Sequence, residues 1–338
     1  MFRRVFVAIV TLVAAAVLLV LVWPSLFGLE RTPGIAQVIA FRIPTLLVGA
    51  VLAVIFLLVA AGSRRSRRLA GSLALVLVLF VALESVVVLD RGIGDPDFAA
   101  KDTGDVTVLS WNTLGGEPGA ATVADLAILN DADVITLPET TADFGAEVAS
   151  LLAASGKPMQ QFSKAYDEIS KARSTTLLVS EALGPYAVDE SIGSTKQLPS
   201  VIARPVSGTG PAFAAMHPVA PVPDLLDTWS SDLDWLATAC SGGSVIMAGD
   251  FNSTLDHWSH VLHDSGAAIG GCFDAAAATG NAAVGTWPTS VPALLGTPID
   301  HVLATNDWRV SGMRVVESVD DAGSDHRPVV AQLTRVDS

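Results

Sequence analysis

Charge is scarce in this chain: 16% of its 338 residues are Asp, Glu, Lys or Arg, against 51% hydrophobic. That balance excludes a purely soluble protein and calls for membrane segments. Cysteine is nearly absent. Cys240 and Cys272, the only two, cannot build a disulfide framework; they form either one disulfide in an oxidising compartment or two buried thiols. No internal repeat is visible, so no solenoid is in question. Cations are short where a polyanion would need them, because only eleven of the 20 Lys and Arg lie beyond residue 91.

The charge that is present is unevenly placed. Residues 1–91 carry nine arginines (3, 4, 31, 42, 64, 65, 67, 68 and 91) and three acids, Glu30, Glu84 and Asp90, a net of +6; with −14 overall, the remaining 247 residues carry −20. A basic, apolar anchor over 1–90 is therefore joined, through a linker over 91–105, to an acidic domain over 106–338.

Three apolar runs, 5–23, 35–61 and 69–89, are long enough to cross a bilayer as helices. The first follows Arg3 and Arg4 as a signal peptide would, but its apolar run is longer and no small-x-small site precedes Trp23, so an uncleaved span is expected. Arg64, Arg65, Arg67 and Arg68 crowd one short loop, which the positive-inside rule places in the cytoplasm. The multi-pass anchor then leaves everything after Asp90 on the extracytoplasmic side of the cell membrane. Arg42 and Glu84 interrupt the second and third spans. They are expected to face each other, since a lone charge in hydrocarbon is costly; the alternative is snorkelling to the outer interface. Residues 91–105 lack periodicity and read as a tether of at most about 50 Å when extended.

Beyond the tether, short apolar runs at 106–111, 133–139, 175–180, 200–205, 211–216, 299–304, 310–316 and 328–336 read as strands. Helical spacing appears at 121–129 and 144–154, and Leu225, Leu226, Trp229, Leu233, Leu236 and Cys240 mark an amphipathic helix. The Ala/Gly-rich segment 267–285 reads as a loop. Strands and helices mix without strict alternation, which gives an α/β or α+β layered domain with a largely buried sheet.

The segment Ser244-Val245-Ile246-Met247-Ala248-Gly249-Asp250-Phe251-Asn252 is a buried strand that stops abruptly and delivers a carboxylate and a carboxamide into a loop. Such a pair can orient a water and donate to an anionic oxygen, as phosphate-ester hydrolysis requires; Gly-Asp-x-Asn is also ordinary turn chemistry. The pattern recurs. Asn112, Glu139, His217, Asp250, Asn252 and the pair Asp325-His326 stand at the ends of apolar runs, and Asp300 at the start of one, so they are placed to converge on the rim of a sheet. His217, before Pro218, could equally be structural, as could Asn112 in a turn. His301 alternates to the face opposite Asp300 and reads as structural. His257, His260 and His263 repeat every three residues, and a solvated helix face is favoured over a metal site.

Ser110-Trp111-Asn112, Leu137-Pro138-Glu139, Met216-His217, Gly249-Asp250-Phe251-Asn252, Ile299-Asp300-His301-Val302-Leu303 and Gly323-Ser324-Asp325-His326-Arg327-Pro328-Val329 resemble, in order, the motifs of the endonuclease/exonuclease/phosphatase family. The resemblance implies a four-layer sandwich, two packed β-sheets flanked by helices. It also implies a metal-dependent phosphoric ester hydrolase using Mg²⁺, with Mn²⁺ as a substitute. Glu139 would be the main metal ligand with Asn112 and Asp325 close by; Asp250 would orient or deprotonate water; Asn252 and His217 would donate to phosphate oxygens. His326 would complete the phosphate site or move a proton, its ring held by Asp300.

A domain charge of −20 disfavours long nucleic acid. A small phosphate ester or a lipid head group is the expected substrate, Trp287 either lines its pocket or belongs to the core, and no protein partner is implied. An extracellular nuclease and a non-catalytic binding protein that keeps the fold are the alternatives.

Overall fold

The computed structural model describes residues 2–94, 97–167, 169–261 and 268–336. The chain divides into two units, 1–91 and 92–338.

The first unit is helical: α1 (Phe2–Val22), a short α2 (Ile35–Ile39), α3 (Arg42–Gly62) and α4 (Arg67–Arg91). The helices α1, α3 and α4 are long and apolar enough to cross a membrane, with mean hydropathies of 3.2, 2.8 and 2.7. The expected second span is shorter than its apolar run. Pro44 has no N–H to donate and fits only a first helical turn, so the helix restarts at Arg42, which stands at its beginning and not inside it. From there the Arg42 Nη1 donates to Glu84 Oε1 at 2.8 Å, which is the expected pairing, and to the carbonyls of Leu21 and Val22, both at 3.2 Å. Those carbonyls end α1, where a helix has acceptors to spare and favours a cation. One guanidinium thus joins α1, α3 and α4. Gly49 lets α3 and α4 approach, since a Cβ there would fall 2.9 Å from the Phe80 ring.

The second unit runs β1 (Val106–Ser110), α5 (Ala120–Leu129), β2 (Val134–Pro138), α6 (Ala142–Ala154), β3 (Met159–Ala165), β4 (Ser174–Ser180), β5 (Tyr186–Val188), β6 (Val201–Pro205), β7 (Ala212–Met216), α7 (Leu226–Ala239), β8 (Val245–Asp250), β9 (Ala268–Ile269), β10 (Cys272–Asp274), α8 (Ala275–Ala278), β11 (Asp300–Thr305), β12 (Trp308–Val315) and β13 (Val329–Arg335). They form two mixed sheets, ordered β12-β13-β1-β2-β4-β3 and β5-β6-β7-β8-β11-β10-β9. Helices flank the sheets. The residues of β1, β2, β7 and β8 are buried throughout, which is why they read as unbroken apolar runs instead of alternating ones. On the outer side of the first sheet, Trp111, Ile135 and Leu137 pack with Val123 of α5 and Val148 and Leu152 of α6 in one core.

Three features differ from the sequence reading. The tether is laid along the domain: Ala283 N donates to Gly92 O and Gly94 N to Gly280 O, both at 3.1 Å, and Ala99 N donates to Ser311 O at 2.9 Å. Phe98 anchors it, packing where Gly312 lacks a side chain and under the Arg314 guanidinium, 4.8 Å from the ring centroid. The Ala/Gly-rich segment is not a loop throughout, because β10 pairs with β11 and β9 pairs with β10. Cys240 and Cys272 are joined in a disulfide with Cα atoms 5.8 Å apart, fastening this edge to the end of α7. The polar strand β3 shows no apolar run because it lies at the sheet edge and is only partly buried.

Removing one member of the Arg42–Glu84 pair leaves a buried charge without its partner. Arg42→Gln and Glu84→Gln should each destabilise the detergent-extracted protein by about 3 kcal/mol, and the double substitution by clearly less than the sum. Additive losses in thermal melts would show that the pair is uncoupled.

Candidate active site

The sheet registers assemble the site. Strands β1 and β2 are parallel, so Asn112 and Glu139 emerge side by side just past their ends. Strands β7 and β8 are also parallel, with Met216 opposite Gly249, so His217 and Asp250 come out at the same edge. In the antiparallel pair β8 and β11, Asp250 and Asp300 are direct register partners. His326 precedes β13, whose Val329 pairs with Ser110, and Trp111 Nε1 donates to His326 O at 2.8 Å. Gly249 is required here: a Cβ would lie 2.0 Å from Met216 O. Glu139 and Asn252 have φ of 55° and 45°, a left-handed backbone that is uncommon for residues other than glycine and clusters at functional sites.

All eight residues singled out in the sequence belong to one cluster at this rim. His326 Nδ1 meets Asp300 Oδ2 at 2.8 Å while its Nε2 lies 3.7 Å from Asp250 Oδ2. Asn112 Nδ2 donates to Asp250 Oδ2 at 3.0 Å and Glu139 Oε1 at 3.1 Å, and its Oδ1 accepts from Leu114 N. Its amide therefore bridges the two carboxylates instead of turning its oxygen to them. Asn252 Nδ2 donates to Pro218 O at 3.0 Å and Asp250 Oδ2 at 3.3 Å, and its backbone N donates to Asp250 Oδ1 at 2.8 Å. His217 Nε2 is 3.9 Å from Glu139 Oε1. Asp325 Oδ2 accepts from Trp287 Nε1 at 2.9 Å, which brings Trp287 to the site. That contact, like those of Ser324 with Asn112 O and His326 N, leaves no trace in spacing or periodicity.

The electrostatics follow from crowding carboxylates in a buried rim. Burial pushes Asp250 up to about 7, against the attraction of His326. Burial also raises Glu139, with Asp325 and Asp300 adding to it and the Asn112 bond opposing. For His326 burial acts downward, but Asp300 and Asp250 outweigh it and hold the imidazolium up to about 10. His217, buried and near that cation, is pushed down to about 3 and is neutral. Among the described residues, Asp325 Oδ1, Asp300 Oδ1 and His217 Nε2 are buried without a hydrogen-bond partner. An oxygen-rich, negative cluster with unclaimed carboxylate oxygens fits a hard divalent cation. Asp250, Asp300 and His326 also offer atoms within 4.8 Å of one another.

One expectation elsewhere is corrected and one holds. His257 is not on a solvated face: it is buried, its Nδ1 accepts from Thr254 N at 2.8 Å, and its ring meets Trp229 edge-on. The side chain of His260 and the whole of His263 lie outside the described residues. His301 does take a structural place, buried between Asp274 Oδ2 at 2.8 Å and Ser253 O at 2.9 Å.

Two packed mixed sheets bearing a buried Asp/His cluster at one rim constitute a phosphoesterase fold. The chain belongs to the Endonuclease/Exonuclease/phosphatase family, whose model matches residues 109–326. Among solved structures it is similar to an endonuclease/exonuclease/phosphatase from Beutenbergia cavernae, at 21% identity and a TM-score of 0.52 over 69% of this chain and 72% of that one. It is also similar to D. rerio TDP2 complexed with a single-strand DNA product, at 17% identity and a TM-score of 0.50 over 69% of this chain and 100% of that one. At these identities the likeness concerns the fold alone. No curated protein matches the sequence.

Asp250, Glu139 and His326 all bind protons more tightly when folded, so each shift lowers stability as pH rises. His217 works the other way, because its depressed pKa adds stability as pH rises from about 3 to 6.5 and offsets the loss from Asp250 and Glu139 there. With EDTA present, the melting temperature should therefore fall mainly above pH 7, as His326 loses its proton. Mg²⁺ at pH 8 should restore it in the wild type and not in Glu139→Gln. A flat profile in EDTA would contradict the crowding.

Proposed function

We propose that this protein is a Mg²⁺-dependent hydrolase of phosphate esters, acting on the extracytoplasmic side of the membrane on a small phosphate ester or a lipid head group. The observation that carries the proposal is the His326 ring, fixed by Asp300 on one side and turned to Asp250 on the other. Asp250 is the group that orients the attacking water and takes its proton. His326 stands beside it as a charged donor for a phosphate oxygen or the leaving oxygen. His217, neutral and with Nε2 unclaimed, donates to a non-bridging oxygen. Asn252 does the same by giving up its longer contact, the 3.3 Å one to Asp250.

Glu139 and Asp325 are the residues to hold the cation, because the Asp300 bond already occupies His326 Nδ1 whereas Asp325 keeps a buried oxygen without a partner. Asn112 supports them by orienting Glu139. When bound, the ion supplies charge neutralisation at the phosphate and can lower the pKa of a water.

The pairing of the domain's cations favours a small substrate. Arg173 is paired with Asp167, Lys164 with Glu190, and the buried Arg327 with Asp320, so these are not free to follow a polyanion. The extracytoplasmic placement rests on the basic loop at Arg64–Arg68 and is supported by the disulfide, which persists in an oxidising compartment. Single-stranded nucleic acid is the second substrate to test, since the D. rerio protein was crystallised with a single-strand DNA product.

The purified full-length protein should release phosphate or a cleaved head group from a panel of sugar phosphates, phospholipids and oligonucleotides with Mg²⁺ or Mn²⁺. EDTA should abolish the activity, and His326→Ala should lower kcat by about a hundredfold or more. Inactivity across the panel would favour a binding protein that retains the fold.

A further inference from the structure

The turn that presents Asn252 is strained, and two buried side chains outside the cluster grip it. Trp229 Nε1 donates to Asn252 O at 3.0 Å. His301 Nε2 lies 2.9 Å from Ser253 O, and because a carbonyl oxygen can only accept, that nitrogen is the donor. Trp229 is fully buried and His301 is 2% exposed. Burial alone would explain two rings in a core. It does not explain why both aim an N–H at consecutive carbonyls of the one turn, in which Asn252 holds φ at 45°.

We propose that Trp229 and His301 are positioning residues for Asn252, locking its left-handed turn through N–H bonds to the carbonyls of Asn252 and Ser253. The proposal rests on the phosphoesterase reading above only where activity is the readout. Each clamp is itself held. Asp274 Oδ2 fixes the His301 ring through Nδ1 at 2.8 Å, while Asp274 Oδ1 accepts from Ala277 N at the start of α8. The ring packs against Trp258 and Phe251, with centroids 4.6 and 5.4 Å away, and Trp258 Nε1 donates to Ser253 Oγ at 2.9 Å. Trp229 lies on α7, Asp274 on β10, and the Cys240–Cys272 disulfide joins these two elements. His301 is next to Asp300 in β11 but leaves the strand on the opposite face, so neither clamp reaches the reacting atoms. Their effect passes through the Asn252 amide, which must stay anchored on Pro218 O so that its other hydrogen can turn from Asp250 to a phosphate oxygen.

Three variants of the full-length protein test this: Trp229→Phe keeps a ring and removes the N–H, His301→Leu removes the donor, and His301→Gln keeps one. In hydrogen exchange followed by mass spectrometry, residues 251–254 should exchange about tenfold faster in Trp229→Phe and His301→Leu, with protection of β1 and β8 unchanged. On any substrate the wild type hydrolyses, these two should lose about tenfold or more in kcat with KM within about twofold. His301→Gln should stay within about threefold of wild type in both measurements. Unchanged exchange at 251–254 would overturn the proposal. So would His301→Gln as damaged as His301→Leu, which would mark a packing role. If the wild type hydrolyses nothing on the panel, the phosphoesterase reading fails and the exchange measurement alone decides for or against the clamps.

Discussion

Four carboxylates, those of Glu139, Asp250, Asp300 and Asp325, share one rim with two imidazoles, and all but Glu139 and Asp325 are almost fully buried. Like charges in a low-dielectric setting repel strongly, and ionised groups resist burial. The rest of the second unit is arranged so that this collection can exist. His326 sets a positive charge between Asp300 and Asp250, and the Asn112 amide divides its two hydrogens between Glu139 and Asp250. Compensation remains partial, as the raised Asp250 and Glu139 show. A chain retained only for packing or assembly would be more stable with apolar groups at these positions. The cluster is therefore an argument for chemistry in its own right.

What keeps these groups from moving apart is sheet register. Two parallel pairs, β1 with β2 and β7 with β8, deliver strand ends to the same edge, and the antiparallel β11 brings Asp300 back opposite Asp250. A slip of one residue would turn each side chain to the other face of its sheet. Gly249 permits the tightest of these approaches, against Met216 O. The long apolar helices obey a similar logic with different chemistry, since the buried guanidinium of Arg42 bonds Glu84 Oε1 and the end of α1 together.

Much of this was legible in the sequence because burial on both faces turns a strand into an unbroken apolar run, and a polar residue at its end then stands out. Asn112, Glu139, His217, Asp250 and the pair Asp325-His326 stand out in that way, and Asp300 by its place at the start of such a run. Arg42 and Glu84 were legible for the converse reason, as ions inside apolar stretches. Other parts left no such mark. The half-exposed β3 and the two- and three-residue β9 and β10 are held by their neighbours and not by their own pattern. Residues 97–105 look like a tether because Phe98 is held by a glycine more than two hundred residues away. The direction of the Asn112 amide, and the Trp287 bond to Asp325, are properties of the assembled rim.

Backbone strain gives the same geography without reference to charge. Among the described residues, four other than glycine have positive φ: Leu114, Asp131, Glu139 and Asn252. Asp131 lies in the turn before β2, where Lys101 bonds both its carbonyl and its carboxylate. The other three sit in the loops that carry the cluster. A left-handed residue persists only where its surroundings over-determine it, and here they do. Gly115 N bonds Glu139 O, Leu114 N bonds Asn112 Oδ1, and the carbonyl of Asn252 is taken by Trp229. The unfavourable backbone, the unfavourable charges and the unclaimed polar atoms thus fall on the same few residues, and the well-packed sheets behind them supply the stability that lets all three coexist.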